Sequence, residues 1–178
     1  MKKGLLFLAV LLMGFTVKSV AQADGEYYLY NAESKCFLSQ GEDWGTRACV
    51  DKYGVPVLWN STDGSLKFIS NELFLFETNG TIYTDNKSTG FSTVETADGY
   101  QLKSTLSGSF LTLQAGTHLR QIVMPTADQS AAAVWQFKTK TERDAMVAAY
   151  VTENHANVAT AAGLDVVAED FLNTLSTA

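Results

Sequence analysis

Histidine, cysteine, serine and carboxylate side chains build most active and metal sites, and the first two are sparse here. The chain of 178 residues has two histidines, His118 and His155, and two cysteines, Cys36 and Cys49. Neither histidine has a second His, Cys or Glu at ligand spacing, so no metal site is expected. No Gly-x-Ser-x-Gly elbow marks a nucleophile. No phosphate loop or dinucleotide fingerprint is present. Glu42-Asp43 pairs two carboxylates, but at an expected hairpin tip, where a solvated turn is their ordinary role. Paired carboxylates act on glycosides only at a defined separation in space, which a sequence does not give. The chain is therefore read as non-catalytic and without a cofactor.

Aromatic rings beside polar groups suit binding instead. Trp44, Trp59, Tyr83 and Tyr100 are the aromatics that the pattern leaves available to a ligand. Trp44 leads, because Glu42-Asp43-Trp44-Gly45 sets an indole beside two carboxylates. The competing role for Trp44 is packing over the domain's own open end. Cys36 and Cys49 flank the turn at Glu42-Asp43 symmetrically, so a disulfide across the hairpin is expected, worth about 2–3 kcal/mol for so short a loop. The alternative is two buried or free thiols.

The elements that position these residues follow from an internal repeat. Asp-Gly occurs at Asp24-Gly25, Asp63-Gly64 and Asp98-Gly99, 39 and 35 residues apart. Phe-Leu occurs at Phe37-Leu38, Phe74-Leu75 and Phe110-Leu111, 37 and 36 apart. Each Asp-Gly opens a β-like segment: Glu26–Tyr30, Ser65–Ile69 and Tyr100–Lys103. Each Phe-Leu is followed by two more: Ala48–Val50 and Val57–Trp59, Thr81–Thr84 and Phe91–Val94, Leu119–Val123 and Val134–Phe137. The links at Gln40-Gly41, Thr78-Asn79-Gly80 and Ser107-Gly108 supply turn residues. The result is an all-β reading of three four-stranded units, with Leu29, Phe37, Leu38, Val50, Leu66, Phe68, Phe74, Leu102, Phe110, Leu113, Trp135 and Phe137 as a shared core. An irregular β-sandwich is the rival arrangement.

With these landmarks, the region from Asp24 to about Lys138 resembles a β-trefoil, closest to the ricin-type lectin branch. Tyr28-Leu29-Tyr30-Asn31, Lys35-Cys36-Phe37-Leu38-Ser39 and Trp44-Gly45-Thr46 are similar to a group of trefoil domains in secreted Bacteroidetes proteins. The resemblance implies a six-stranded barrel capped by three hairpins, and a shallow sugar site on each unit. It also implies a glycan ligand met by a polar side chain and a stacking ring, which makes Glu42, Asp43, Trp44, Trp59, Tyr83 and Tyr100 the candidate ligand residues. The chain departs from the lectins in one respect. They carry Gln-x-Trp late in each unit, whereas the third unit here has Trp135-Gln136-Phe137 and the first two have no match. A protein partner outside the cell is the alternative ligand, with Gly41–Arg47 and Pro125–Ala133 as contact loops.

The two ends complete the organisation. Met1-Lys2-Lys3, an apolar run from Gly4 to Val17, and small residues at Ser19, Ala21 and Ala23 read as a signal peptide, residues 1–21, cleaved after Ala21 or Ala23. The run is shorter than the roughly 20 residues a membrane span needs, so an exported protein, periplasmic or extracellular, is expected rather than an anchored one. Removing Lys2, Lys3 and Lys18 takes the formal charge from −6 to −9. That balance disfavours nucleic acid and anionic lipid. Asn60-Ser61-Thr62, Asn79-Gly80-Thr81 and Asn86-Lys87-Ser88 match a glycosylation sequon and are read as turn asparagines. Beyond the β region, residues 139–178 read as a helical tail. Thr139-Lys140-Thr141-Glu142 has the form of a capping box and opens a helix from Thr141 to about Asn154. Gly163 is a stop, and Leu164, Val167, Ala168, Phe171, Leu172 and Leu175 form a second apolar stripe.

Overall fold

The computed structural model describes residues 22–117 and 120–161. The signal segment, His118, Leu119 and the second tail stripe lie outside the described residues. The described chain runs β1 (Gly25–Asn31), β2 (Cys36–Glu42), α1 (Asp43–Thr46), β3 (Arg47–Asp51), β4 (Val57–Asn60), β5 (Ser65–Phe68), β6 (Phe74–Thr78), β7 (Thr81–Asp85), β8 (Phe91–Thr96), β9 (Gly99–Ser104), β10 (Phe110–Ala115), β11 (Gln121–Thr126), β12 (Val134–Lys138) and α2 (Lys140–Ala161). A single 3-10 turn, Gln129–Ala131, precedes β12.

The strands are antiparallel throughout and close on themselves. The hydrogen-bonded order is β10-β11-β3-β7-β6-β5-β4-β1-β12-β9, and Phe110 opposite Lys103 joins β9 back to β10. Ten strands thus make the ring, and β2 and β8 lie off it: β2 pairs with β1 and β3, and β8 with β9. This overturns the expected β-trefoil of the ricin-type, Bacteroidetes-like group. A six-stranded barrel requires the second unit's outer strands, β5 and β8, to pair as β1 pairs with β4 and β9 with β12. They share no ladder; the Phe91 N–H at the start of β8 bonds instead to Gly64 O, the residue before β5, at 2.7 Å. Alternation and spacing reveal strands but not which strands pair, and the pairing is what the resemblance supplied wrongly.

The repeat landmarks nevertheless have structural causes. Phe37 lies opposite Tyr30 and Asp51, Phe74 opposite Lys67 and Asp85, and Phe110 opposite Lys103 and Thr126. Leu38, Leu75 and Leu111 then alternate inward and are buried. Each Asp-Gly glycine lies against the backbone of a core aromatic: Gly25 is opposite Trp59, Gly64 abuts Phe91, and Gly99 abuts Trp135. At Gly64 the approach is so close that a Cβ would fall 2.1 Å from the Phe91 carbonyl oxygen.

The core joins Leu29, Leu38, Val50, Val57, Trp59, Leu66, Phe68, Leu75, Ile82, Phe91, Leu102, Leu111, Val123 and Trp135. Each large side chain buried there contributes about 1.5–3 kcal/mol by area. Phe37 and Phe110 are buried beside this cluster, while Phe74, Leu113 and Phe137 are only half-buried.

The expected Cys36–Cys49 bridge is not formed, and both thiols are free. Cys49 lies opposite Ser39, three positions along β2 from Cys36. Side chains alternate faces along a strand, so the two sulfurs project from opposite sides of the sheet. A bulge between Gln40 and Glu42, together with α1, displaces the symmetric turn that the sequence implied.

The capping box forms as expected. The Glu142 carboxylate accepts the Thr139 N–H at 2.8 Å and its hydroxyl at 2.7 Å, and Thr139 Oγ1 accepts the Glu142 N–H at 3.3 Å. The helix does not end near Asn154 but runs to Ala161. Arg143 ties it to the barrel, donating to Tyr53 O at 2.7 Å and lying over the Tyr28 ring. No described helix is long and apolar enough to cross a membrane, which leaves strands out of account.

Candidate functional site

The expected ligand residues fall into two separate groups. Glu42 and Tyr83 share one end of the barrel, where Arg47 is opposite both in register. Glu42 is buried rather than solvated at a hairpin tip, and its Oε2 accepts Arg120 Nε–H at 2.8 Å. The Tyr83 ring is covered by the Arg47 guanidinium at 5.2 Å. Trp59 and Tyr100 lie elsewhere, both packed edge-on against Phe137 at 5.6 and 5.7 Å. Trp59 belongs to the core. Asp43 and Trp44 lie on α1, and their side chains are outside the described set. The described rings are thus built into the protein's own packing, and no shared stacking platform results.

A different place is concave and polar. A hollow of about 480 Å³ opens between the β1–β2 turn, the middle of β10, the start of β11 and the 3-10 turn. Its walls carry Asn31, Glu33, Ser34, Thr112, Gln121 and Ser130, with Leu113 and Ala131–Ala133 as the apolar part.

Each wall is held by its own bonds. Asn31 ends β1, where its Oδ1 accepts the Ser34 N–H at 2.8 Å and its Nδ2 donates to Val134 O at 3.0 Å. The first bond closes the β1–β2 turn from the side chain, three residues on. The second ties that turn to β12, 103 residues away. Lys35 completes the turn with a φ of 53°. On the facing side, Thr112 Oγ1 donates to Ala131 O at 2.6 Å, and Ala133 N–H to Leu111 O at 2.8 Å, drawing the 3-10 turn onto β10. Asp128 caps that turn by accepting the Ser130 N–H and hydroxyl. These two bonds hold its carboxyl below the usual carboxylate range. Gln101 and Gln129 exchange two further bonds at 3.1 Å.

The hollow therefore has fixed walls and a dense set of amide and hydroxyl groups. Behind this wall Ser34 Oγ is sealed from solvent with no hydrogen-bond partner among the described residues. Cys36 Sγ donates to Ser34 O at 3.3 Å just behind it. Cys49 is remote in chemistry as well as position: burial pushes its thiol up to about 11, which the nearby Arg120 only partly offsets. Among the described residues no group of three or more His, Cys, Asp or Glu is placed to hold a metal ion.

Sequence reasoning named the Pro125–Ala133 segment as a contact loop for a protein partner; in the structure Ser130–Ala133 form one wall of the hollow. Pro125 itself belongs to β11. Asn31, Glu33, Ser34, Thr112 and Gln121 were missed. Their only sequence signal is the Asn-x-x-Ser turn at Asn31–Ser34, which does not reveal that β10 and β12 will face it. No protein-family model matches the chain, and no curated protein matches it in sequence.

Proposed function

We propose that the protein is an exported, non-catalytic binding module whose polar hollow takes a hydroxyl-rich ligand, a glycan end of one or two sugar units. The observation that carries this reading is the composition of the hollow. Its walls carry side-chain amides, hydroxyls and the Glu33 carboxylate. The size of the hollow lies within the range of small-molecule sites. Recognition here runs through hydrogen bonds, because no aromatic ring lines this hollow. The lectin comparison plays no part, since it fell with the trefoil. Export rests on the Lys2-Lys3 start, the apolar run and the small residues near Ala21.

Calorimetric titration with a panel of neutral mono- and disaccharides tests the reading. Binding by at least one sugar is expected, weakened about tenfold in Glu33→Ala and in Gln121→Ala, since about 1.4 kcal/mol is one decade in affinity. A silent panel, with a single extracellular protein recovered on the same surface, overturns the glycan reading in favour of a protein ligand.

A further inference from the structure

Gln22 opens the described chain, and its backbone is already part of the fold. The Gln22 carbonyl accepts the Trp59 Nε1–H at 3.0 Å. Trp59 is a core residue, 3 % exposed, so its indole N–H has little water to turn to. Two residues later, Asp24 Oδ1 accepts the Ser61 N–H at 2.6 Å, and the Ser61 hydroxyl first, then this backbone bond, hold its carboxyl below the usual range. Gly25, Glu26 and Tyr27 then pair with Trp59, Leu58 and Val57. The lead-in to β1 is thus fastened at two successive points, the first of them by Gln22.

Two peptide bonds satisfy the small-residue rule for leader removal. Ser19 and Ala21 precede the Ala21–Gln22 bond, and Ala21 and Ala23 precede the Ala23–Asp24 bond. We propose that the mature protein begins at Gln22. The inference rests on the export reading above and makes it specific. Processing acts on the unfolded chain, so the fold does not direct the peptidase. What the fold decides is which product keeps its bonds. A start at Gln22 retains the acceptor for Trp59. A start at Asp24 deletes it, leaves a buried donor unpaired, and puts a terminal ammonium on the residue whose carboxylate holds Ser61. The covalent step is a hydrolysis by an exporting cell's membrane endopeptidase. The oxygen of water bonds to the Ala21 carbonyl carbon, the C–N bond to Gln22 breaks, and the nitrogen leaves with the water's proton as the new terminal amine.

The test is the intact mass of the full chain after expression and export from a bacterial host. A mass beginning at Gln22 supports the proposal, and one beginning at Asp24 overturns it. An uncut chain overturns the export reading instead, so the two failures are distinguishable. A second measurement addresses the cause. Ser19→Leu spoils the first bond and steers cleavage to the second. The resulting protein should melt lower than wild type by about 4 °C, the effect of one lost buried hydrogen bond in a chain of this size. In the Trp59→Phe background most of that difference should vanish, leaving only the effect of the new terminal ammonium beside the Asp24–Ser61 bond. Equal melting of the two products with Trp59 intact overturns the structural reason for the assignment.

Discussion

Arg120 Nε lies 2.8 Å from Glu42 Oε2, although 78 residues separate them in sequence and the carboxylate is only 2 % exposed. The same guanidinium reaches Gln40 O at 3.4 Å and Asp51 Oδ2 at 3.7 Å. It therefore pins the end of β2 and the end of β3 to the entry of β11. Among the described residues Glu42 Oε1 has no hydrogen-bond partner of its own, so the Arg120 bond to Oε2 is what holds the carboxylate.

Removing the cation should strand a buried charge. Arg120→Met is expected to destabilise the protein by about 2 kcal/mol, less than a fully buried pair would lose, because Arg120 is itself a third exposed. Adding Glu42→Leu should recover part of that loss. Urea unfolding of the two single variants and the double variant measures the coupling; additive losses contradict the pairing.

Two core tryptophans should respond differently to the same change. Trp59 Nε1 donates to Gln22 O, whereas Trp135 Nε1 is buried without a partner. Trp135→Phe sheds an unsatisfied donor, a gain of about 1–3 kcal/mol that offsets the lost ring volume. Trp59→Phe loses both the bond and the volume. Thermal melts should therefore rank Trp59→Phe as the more damaging, and the reverse order refutes the assignment of the two indoles.

Glycines with similar backbone angles should differ sharply in tolerance. Gly64 has φ +71° with Phe91 backbone in the way, while Gly80 has φ +70° and nothing within 4 Å. Gly80→Ala should cost about 1–2 kcal/mol from the left-handed conformation alone. Gly64→Ala should cost more than about 3 kcal/mol, because strain and overpacking add. Chemical unfolding of both variants makes the comparison.

The start of α2 should loosen in acid. The Thr139 backbone N–H, then its hydroxyl, hold the Glu142 carboxyl below its ordinary value of 4.5. A carboxylate whose pKa is lowered by folding stabilises the folded state above the unfolded value and loses that contribution as pH falls through the folded one. The cap is therefore complete above pH 4.5 and fails progressively below it. Glu142→Ala should remove it at neutral pH for about 1 kcal/mol or less, since the site is exposed. Amide exchange at Glu142 and Arg143 across that range provides the check.

Cys49 should resist alkylation. Its thiol is buried and raised to about 11, so at pH 8 little thiolate is present. Iodoacetamide followed by peptide mass mapping should label Cys36 first, and Cys49 only after denaturation. Recovery of an intramolecular disulfide from non-reduced protein contradicts the register that separates them.

Local chemistry was legible in the sequence; long-range partnership was not. The capping box at Thr139–Glu142 is complete within four residues, and it reads correctly. Leu29, Leu38, Leu66, Phe68 and Trp135 declare themselves as core by alternation. Trp59 misleads, because an aromatic at a strand end reads the same whether its N–H meets solvent or the Gln22 carbonyl. Glu42 misleads for a related reason: a carboxylate beside a glycine suggests a solvated turn until Arg120 arrives from the far end of the chain. The hollow as a whole is not legible, since Asn31, Thr112 and Gln121 join the Ser130 segment only once β10, β11 and β12 have closed on β1. The number of strands could be counted from spacing, but the ring order depends on contacts such as Phe110 with Lys103 that leave no mark on composition.

The pairing of β1 with β12 sets Tyr28 opposite Lys138. The first strand thus waits for the last, and the barrel cannot shut until nearly the whole β region has left the ribosome. Assembly governed by such distant partners is slow and all-or-none. Any shortened product that stops before Val134 carries an unsealed seam along β1 and β9 and is a natural target for proteolysis.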